Sequence, residues 1–175
     1  MRRLPRHIDD NRARRYRTWS GLVFVAGTVA MTAAVAQYYA PSPLQPDIED
    51  DWNSLDTPSA TPPRAAFGVI WPALWGLMAA SGFRVWQKPE SDDRDRALAL
   101  FRLSLGMTAG WAKIFFGNRR RMAGLAELLG LLAAAGAYGR VAGKVDRTAG
   151  LLGAPYAAWL AVTAALSASI VRRNR

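Results

Sequence analysis

Five stretches of this chain are apolar over the length that a bilayer crossing needs, and charge collects between them. A helix spans the hydrocarbon with about 20 residues at ~1.5 Å of rise each. The stretches run from Thr18 to Tyr39, Ala65 to Trp86, Ala97 to Phe116, Met122 to Val141 and Thr148 to Val171. The third is the least clean, because Arg102 and Lys113 stand near its ends. This pattern predicts an all-α integral membrane protein, a five-transmembrane-helix bundle over residues 18–171. A basic tail (1–17) precedes the bundle, a long first loop (about 40–64) interrupts it, and a short basic tail (172–175) follows.

Composition narrows the chemistry. Hydrophobic residues make up 51% of 175, yet mean hydropathy is −0.01, so strongly apolar blocks are offset by strongly charged ones. The net charge of +10 invites a nucleic-acid partner. The charges flank helices, however, where they anchor to headgroups and snorkel, so no nucleic-acid partner is expected. Cys is absent, which removes disulfides, thiolate ligands and a Cys nucleophile. The one His, His7, lies in the charged tail. No Ser–His–Asp set, metal-ligand cluster or phosphate-cradling glycine loop is present, so no catalytic residue, metal site or required cofactor is expected. Asp92, Asp93 and Asp95, mixed with Arg94 and Arg96, read as a solvated loop.

The first stretch exceeds the 7–15-residue apolar region of a signal peptide, so it reads as a retained helix, although Ala34-Val35-Ala36 resembles a cleavage site. Arg2, Arg3, Arg6, Arg12, Arg14, Arg15 and Arg17 favour a cytoplasmic N-terminus, with the acidic first loop outside. Arg119–Arg121 and the C-terminal arginines then fall outside, against that rule. Basic residues that are nearly all Arg, with much Ala, suggest a GC-rich bacterial genome, and a bacterial cytoplasmic membrane is the expected location.

Seven tryptophans mark the chain. Trp19 and Trp86 sit at helix ends, as interfacial residues do. Trp71 and Trp75, four apart, share a helical face. Trp111 and Trp159 lie inside the third and fifth stretches. Two readings stand open: the indoles pack the bundle, or they line a cavity for a flat apolar ligand. The proline-rich first loop, with Trp52, is either a flexible linker or a lid. Glu127 is either a functional intramembrane acid or a partner for Arg119, Arg120 and Arg121, and the second reading is preferred. Gly106 and Gly110 form a G-x-x-x-G spacing that suggests a homodimer through the third helix. Leu132, Tyr138 and Arg140 formally satisfy a proposed cholesterol pattern.

Thr61-Pro62-Pro63, then Phe67-Gly68, Trp71, Leu74-Trp75, Met78 and Trp86, form a longer signature. W-A-K-I-F-F-G (111–117), Glu127, and Ala149-Gly150-Leu151-Leu152 leading to Pro155-Tyr156 and Trp159 extend it in order. The chain thereby resembles the TspO/MBR family, the tryptophan-rich sensory and translocator proteins. The resemblance spans most of residues 52–171 and implies five helices with a pocket under the first loop. It implies a porphyrin such as protoporphyrin IX, a haem-related tetrapyrrole or a sterol-like molecule as ligand, a sensory or transport-linked role, and dimers. Trp52, Pro62, Trp71, Trp75, Thr108, Trp111, Tyr156, Trp159, Thr163 and Ser167 are then the expected ligand-binding residues. Some relatives degrade protoporphyrin in light; here Ala60 stands where the family has a loop Trp. Asn53 replaces a Tyr, Trp75 a Tyr, and Thr108 and Ser167 each an Asn, which shortens two hydrogen-bonding groups. The alternative is a membrane scaffold or hydrophobic-metabolite transporter without porphyrin binding.

Overall fold

The computed structural model describes residues 6–175 and, among them, is all helical. Arg2 and Arg3 of the basic tail lie outside the described residues, as do the side chains of Arg6 and His7. The helices are α1 (Arg6–Tyr38), α2 (Pro46–Asn53), α3 (Arg64–Trp86), α4 (Asp92–Ala112), α5 (Arg121–Val145) and α6 (Arg147–Arg173). A π-turn, Lys113–Gly117, continues α4. Four of these, α1 (from Arg14), α3, α5 and α6, are long and apolar enough to cross a membrane. The expected five-helix count is therefore not matched as such: there is a sixth, short helix, and α4 falls below the apolarity of a span.

Three boundaries differ from expectation, each for a local reason. The basic segment before Thr18 is helical from Arg6, continuous with α1. Asp92, Asp93 and Asp95 are not in a loop but in the first turn of α4. Ser91 caps that turn, its Oγ accepting from the Arg94 amide at 3.3 Å, and the carboxylates sit where the helix dipole favours them. The first loop holds α2, started by Pro46 at its first turn with Asp47 and Glu49 beside it.

The five long helices close into a ring, α1–α3–α6–α5–α4, with α4 returning to α1. Phe101, Leu105, Leu128, Leu131, Met78, Tyr138, Tyr156 and Leu160 fill its centre. α5 and α6 form a hairpin joined by Asp146 alone. Their backbones touch: a Cβ on Gly150 would stand 2.7 Å from the Gly143 Cα and 2.9 Å from the Gly139 carbonyl oxygen. Several polar groups inside the ring find partners within it, as an apolar surround demands, although Ser104 Oγ and Glu127 Oε2 are buried without one among the described residues. Ser81 Oγ donates to the Ala149 carbonyl at 2.7 Å, so the Tyr138 hydroxyl, 2.5 Å away, is the donor to Ser81.

Asp146 holds the turn of the hairpin. Its carboxylate caps α6 through the Ala149 amide (2.8 Å) and takes Arg84 through two nitrogens (3.0 Å each) and Lys88 at 2.8 Å. These donors hold its carboxyl well below the usual carboxylate range. A depressed carboxyl stabilises fully above its unfolded-state pKa and loses that contribution as pH falls below it.

Two outcomes are expected in thermal unfolding. Gly150→Ala lowers stability by about 1–3 kcal/mol, because the α5–α6 backbone contact has to open. Asp146→Asn costs about 1 kcal/mol or less near neutral pH, through the lost charge pairs with half-exposed Arg84 and Lys88, because an Asn side chain keeps the cap. The gap between Asp146→Asn and the parent narrows as pH drops below ~4.

Candidate functional site

One cavity of about 380 Å³ lies beneath the first loop, between α1, α3, the end of α4 and α6. Seven of the residues on its wall are aromatic. Trp71 stands 5.8 Å from Trp75 and 6.4 Å from Trp111 between ring centroids. Phe116 meets Trp111 edge-on at 5.4 Å and Trp52 of the loop at 5.5 Å. These contacts form one aromatic chain from the bundle interior to the loop. Sequence spacing explains the first link, since Trp71 and Trp75 are one turn apart on α3. The others arise from packing α4 and α2 against α3.

The π-turn sets the far end of the chain. Widening the helix over Lys113–Gly117 brings both Phe115 and Phe116 into the lining, and Phe115 is fully buried. Single π-turns inside helices are commonly found at functional sites. Arg119, with φ of 56°, then turns the chain in the left-handed region into α5.

Of the residues expected at the site, Trp52, Pro62, Trp71, Trp75, Thr108, Trp111, Thr163 and Ser167 border the cavity. Tyr156 and Trp159 do not. Tyr156 is fully buried behind the wall with its hydroxyl on Thr108, while Thr108 Oγ1 donates to the Ser104 carbonyl at 2.9 Å. Trp159 packs edge-on against Phe67, itself in the lining, at 5.8 Å. Ala60 is exposed and outside the lining. Sequence reasoning passed over Gln37 and Arg64, which also border the cavity. Arg64 was legible as the cation that follows Thr61-Pro62-Pro63, whereas Gln37, at the end of an apolar stretch, offers no such signal.

Three polar atoms at this wall are buried without a hydrogen-bond partner among the described residues: Thr61 Oγ1, Trp75 Nε1 and Trp111 Nε1. Orphaned donors in a cavity favour an occupant that carries acceptors.

Ion pairs fasten the loop over the cavity. Asp51 of α2 takes Arg121 and, at 3.6 Å, Arg119. Arg119 also donates to the Asp47 carbonyl at 3.0 Å. Arg64, at the start of α3, binds Glu49 and Asn53. At the loop's far end, Asn174 exchanges hydrogen bonds with the Asp56 backbone at 2.9 and 3.0 Å. The expected pairing of Glu127 with Arg119–Arg121 is therefore not present: Asp51 engages two of those cations instead. Glu127 makes no ion pair among the described residues; its Oε2 is buried without a partner and its Oε1 covers Gly110. Gly110 thus faces α5 within the chain, while Gly106 opens onto free space.

Asp51→Asn is expected to loosen the loop, seen as faster proteolytic cleavage within residues 40–63 at unchanged cleavage elsewhere. Asp56→Ala serves as the control with little effect, because its pair with Arg173 is exposed and long at 3.4 Å, and its backbone bonds to Asn174 remain.

Residues 20–173 match the model of the TspO/MBR family. The chain is 33% identical over 124 residues to Protein CrtK of Rhodobacter capsulatus, covering 70% of this chain and 78% of that one. It is 30% identical over 126 residues to the tryptophan-rich sensory protein of Cereibacter sphaeroides, covering 71% and 78%. With the human translocator protein it shares 32% identity over 122 residues, covering 69% and 72%. With four helices apolar enough to cross a bilayer, this chain is an integral membrane protein and belongs to the TspO/MBR family.

Proposed function

We propose that the protein binds a flat, apolar ligand of tetrapyrrole type in the cavity under the loop, and that ligand occupancy is read as loop position. The observation that carries this reading is the continuous aromatic wall, Trp75–Trp71–Trp111–Phe116–Trp52, beside orphaned donors on Thr61, Trp75 and Trp111. Aromatic faces select for a flat shape, and the few polar groups fix its orientation. The cavity's size lies within the range of small-molecule sites, about 300–1,000 Å³. Arg64, at the rim, holds Glu49 and Asn53 of the loop, so a ligand carboxylate such as a propionate would reach it by exchange with Glu49. The lining contains no His, Cys or Met, so metal-free protoporphyrin IX is predicted to bind at least as tightly as haem. Relatives named as sensory and translocator proteins support a signalling or transport-linked role rather than an acid–base enzyme.

The same reading makes α4 the fifth span. From Asp92 through the π-turn to Gly117 it is long enough to cross, and five of its seven charges fall in the first third, Arg102 and Lys113 lying beyond it. The N-terminus then lies on the side of the α3–α4 and α5–α6 turns, where Arg12, Arg14, Arg15, Arg17, Lys88, Arg94, Lys144 and Arg147 gather. That side is cytoplasmic by the positive-inside rule, in a bacterial cytoplasmic membrane. A homodimer through α4 would meet at Gly106, because Gly110 is already covered by Glu127.

Tryptophan-fluorescence quenching in detergent, titrated with protoporphyrin IX, tests the site. Saturable quenching is expected, with affinity lowered about tenfold or more in Trp71→Ala. Trp159→Phe, outside the lining, should change affinity little. Equal affinity in the parent and in both Trp71→Ala and Trp111→Ala would refute the reading.

A further inference from the structure

A second groove lies on the outer surface at the opposite end of the bundle, about 280 Å³ in size, between α1, the end of α3 and the first half of α4. Phe24, Trp86, Arg94, Asp95, Leu98 and Arg102 line it. Phe24 and Trp86 stack at 4.8 Å and form its floor. The Arg94 guanidinium lies 5.2 Å from the centre of the Trp86 ring, and that of Arg102 lies 5.5 Å from the centre of Phe24.

The two arginines are in different situations. Arg94 is buried, donates twice to the Trp86 carbonyl (3.3 and 3.1 Å) and pairs with Asp95 at 3.0 Å. Arg102 is exposed and makes no hydrogen bond or ion pair with any described residue. It stands eight residues further along α4, about 12 Å deeper into the bundle's length. Helical side chains lean toward their own N-terminus, so its stem rises back toward Arg94 and the basic end. Its guanidinium has five donors and a ring beneath it but no acceptor.

The surroundings decide which anion suits these donors. Two guanidiniums against the single, exposed Asp95 leave the groove cationic. Arg17, whose carbonyl accepts from Trp86 Nε1 at 3.1 Å, adds a further exposed charge beside it. Past the groove, away from the basic end, the surface becomes apolar: Met31, two turns beyond Phe24 on α1, and Leu103 on α4 are 68% and 51% exposed. A bare anion would use the cations and leave this apolar strip uncovered. An amphiphile with a phosphate head uses both.

We propose that this groove holds an anionic phospholipid, its phosphate on Arg102 with support from Arg94, and its acyl chains along Met31 and Leu103. The site is separate from the cavity under the loop and does not require any ligand there. Planar guanidinium favours bidentate phosphate recognition, and the aromatic floor keeps the stem extended toward the head. An intramembrane arginine without a protein partner is thereby satisfied by the bilayer itself.

Native mass spectrometry of the protein released from nanodiscs of equal phosphatidylglycerol and phosphatidylcholine tests this. The parent should retain phosphatidylglycerol over phosphatidylcholine by about tenfold, the effect of one charge-assisted hydrogen-bonded contact. Arg102→Gln should bring retention to parity, while protoporphyrin quenching and the melting temperature stay unchanged. Parity in the parent, or an undiminished preference in Arg102→Gln, would overturn the proposal. Excess inorganic phosphate should not displace the retained lipid; displacement would identify a free-anion site and overturn the lipid assignment. If Arg102→Gln fails to fold, Arg102→Lys, which keeps charge and stem but loses the fork, decides. An intermediate preference supports the proposal, and a preference equal to the parent's overturns it.

Discussion

Arg121 is the joint on which the upper half of the molecule depends. Its guanidinium donates to the Phe115 carbonyl, lies 5.1 Å from the centre of the Phe115 ring, and pairs with Asp51 of the loop. One side chain thus binds the π-turn that shapes the cavity wall to the helix that roofs it. The π-turn leaves backbone carbonyls at the end of α4 in need of donors, and an arginine at the first position of α5 supplies one. The group is only 13% exposed at the side chain, so its pairing with Asp51 is less screened than an ordinary surface pair. Removing Asp51 leaves the nearly buried Arg121 charge without its partner, which is costlier than losing a surface bridge.

The rest of the bundle follows from the same demand that polar groups be satisfied inside an apolar surround. Ser81 and Tyr138 close one hydroxyl pair across α3, α5 and α6; Thr108 and Tyr156 close another across α4 and α6. Asp146 collects the cations at the hairpin end. Buried polar atoms without a partner among the described residues remain elsewhere too, on Gln87, Ser104, Glu127 and Trp159, but those on Thr61, Trp75 and Trp111 belong to residues that border the cavity. A site that leaves donors free while packing aromatics around them suits an occupant that brings acceptors and a flat face.

Much of this was legible in the sequence, and the reasons are local. Apolar length gave four spans and the helical nature of α4, and i,i+4 spacing put Trp71 beside Trp75. The ordered aromatic and proline motifs pointed to the family, and eight of the ten residues expected at the ligand border the cavity. What could not be read depends on distant partners. Glu127 was assigned to Arg119–Arg121 because they are near in sequence, but Asp51, some 70 positions away, reaches two of those cations first. Gly106 and Gly110 looked equivalent, and only the packing of α5 shows that one is covered and the other free. Tyr156 and Trp159 were expected at the ligand and instead support the wall, because residues on one helical stripe lie at different depths behind it.

The central claim is that the loop roofs an aromatic cavity which a flat ligand fills. Hydrogen–deuterium exchange of the detergent-purified protein, with and without protoporphyrin IX, tests it most directly. The account predicts slower exchange in the ligand's presence within the α2 loop and in the π-turn over Lys113–Gly117, with the α5–α6 hairpin turn unchanged. Ligand binding without protection of either segment, or protection confined to the opposite end of the bundle, would contradict it.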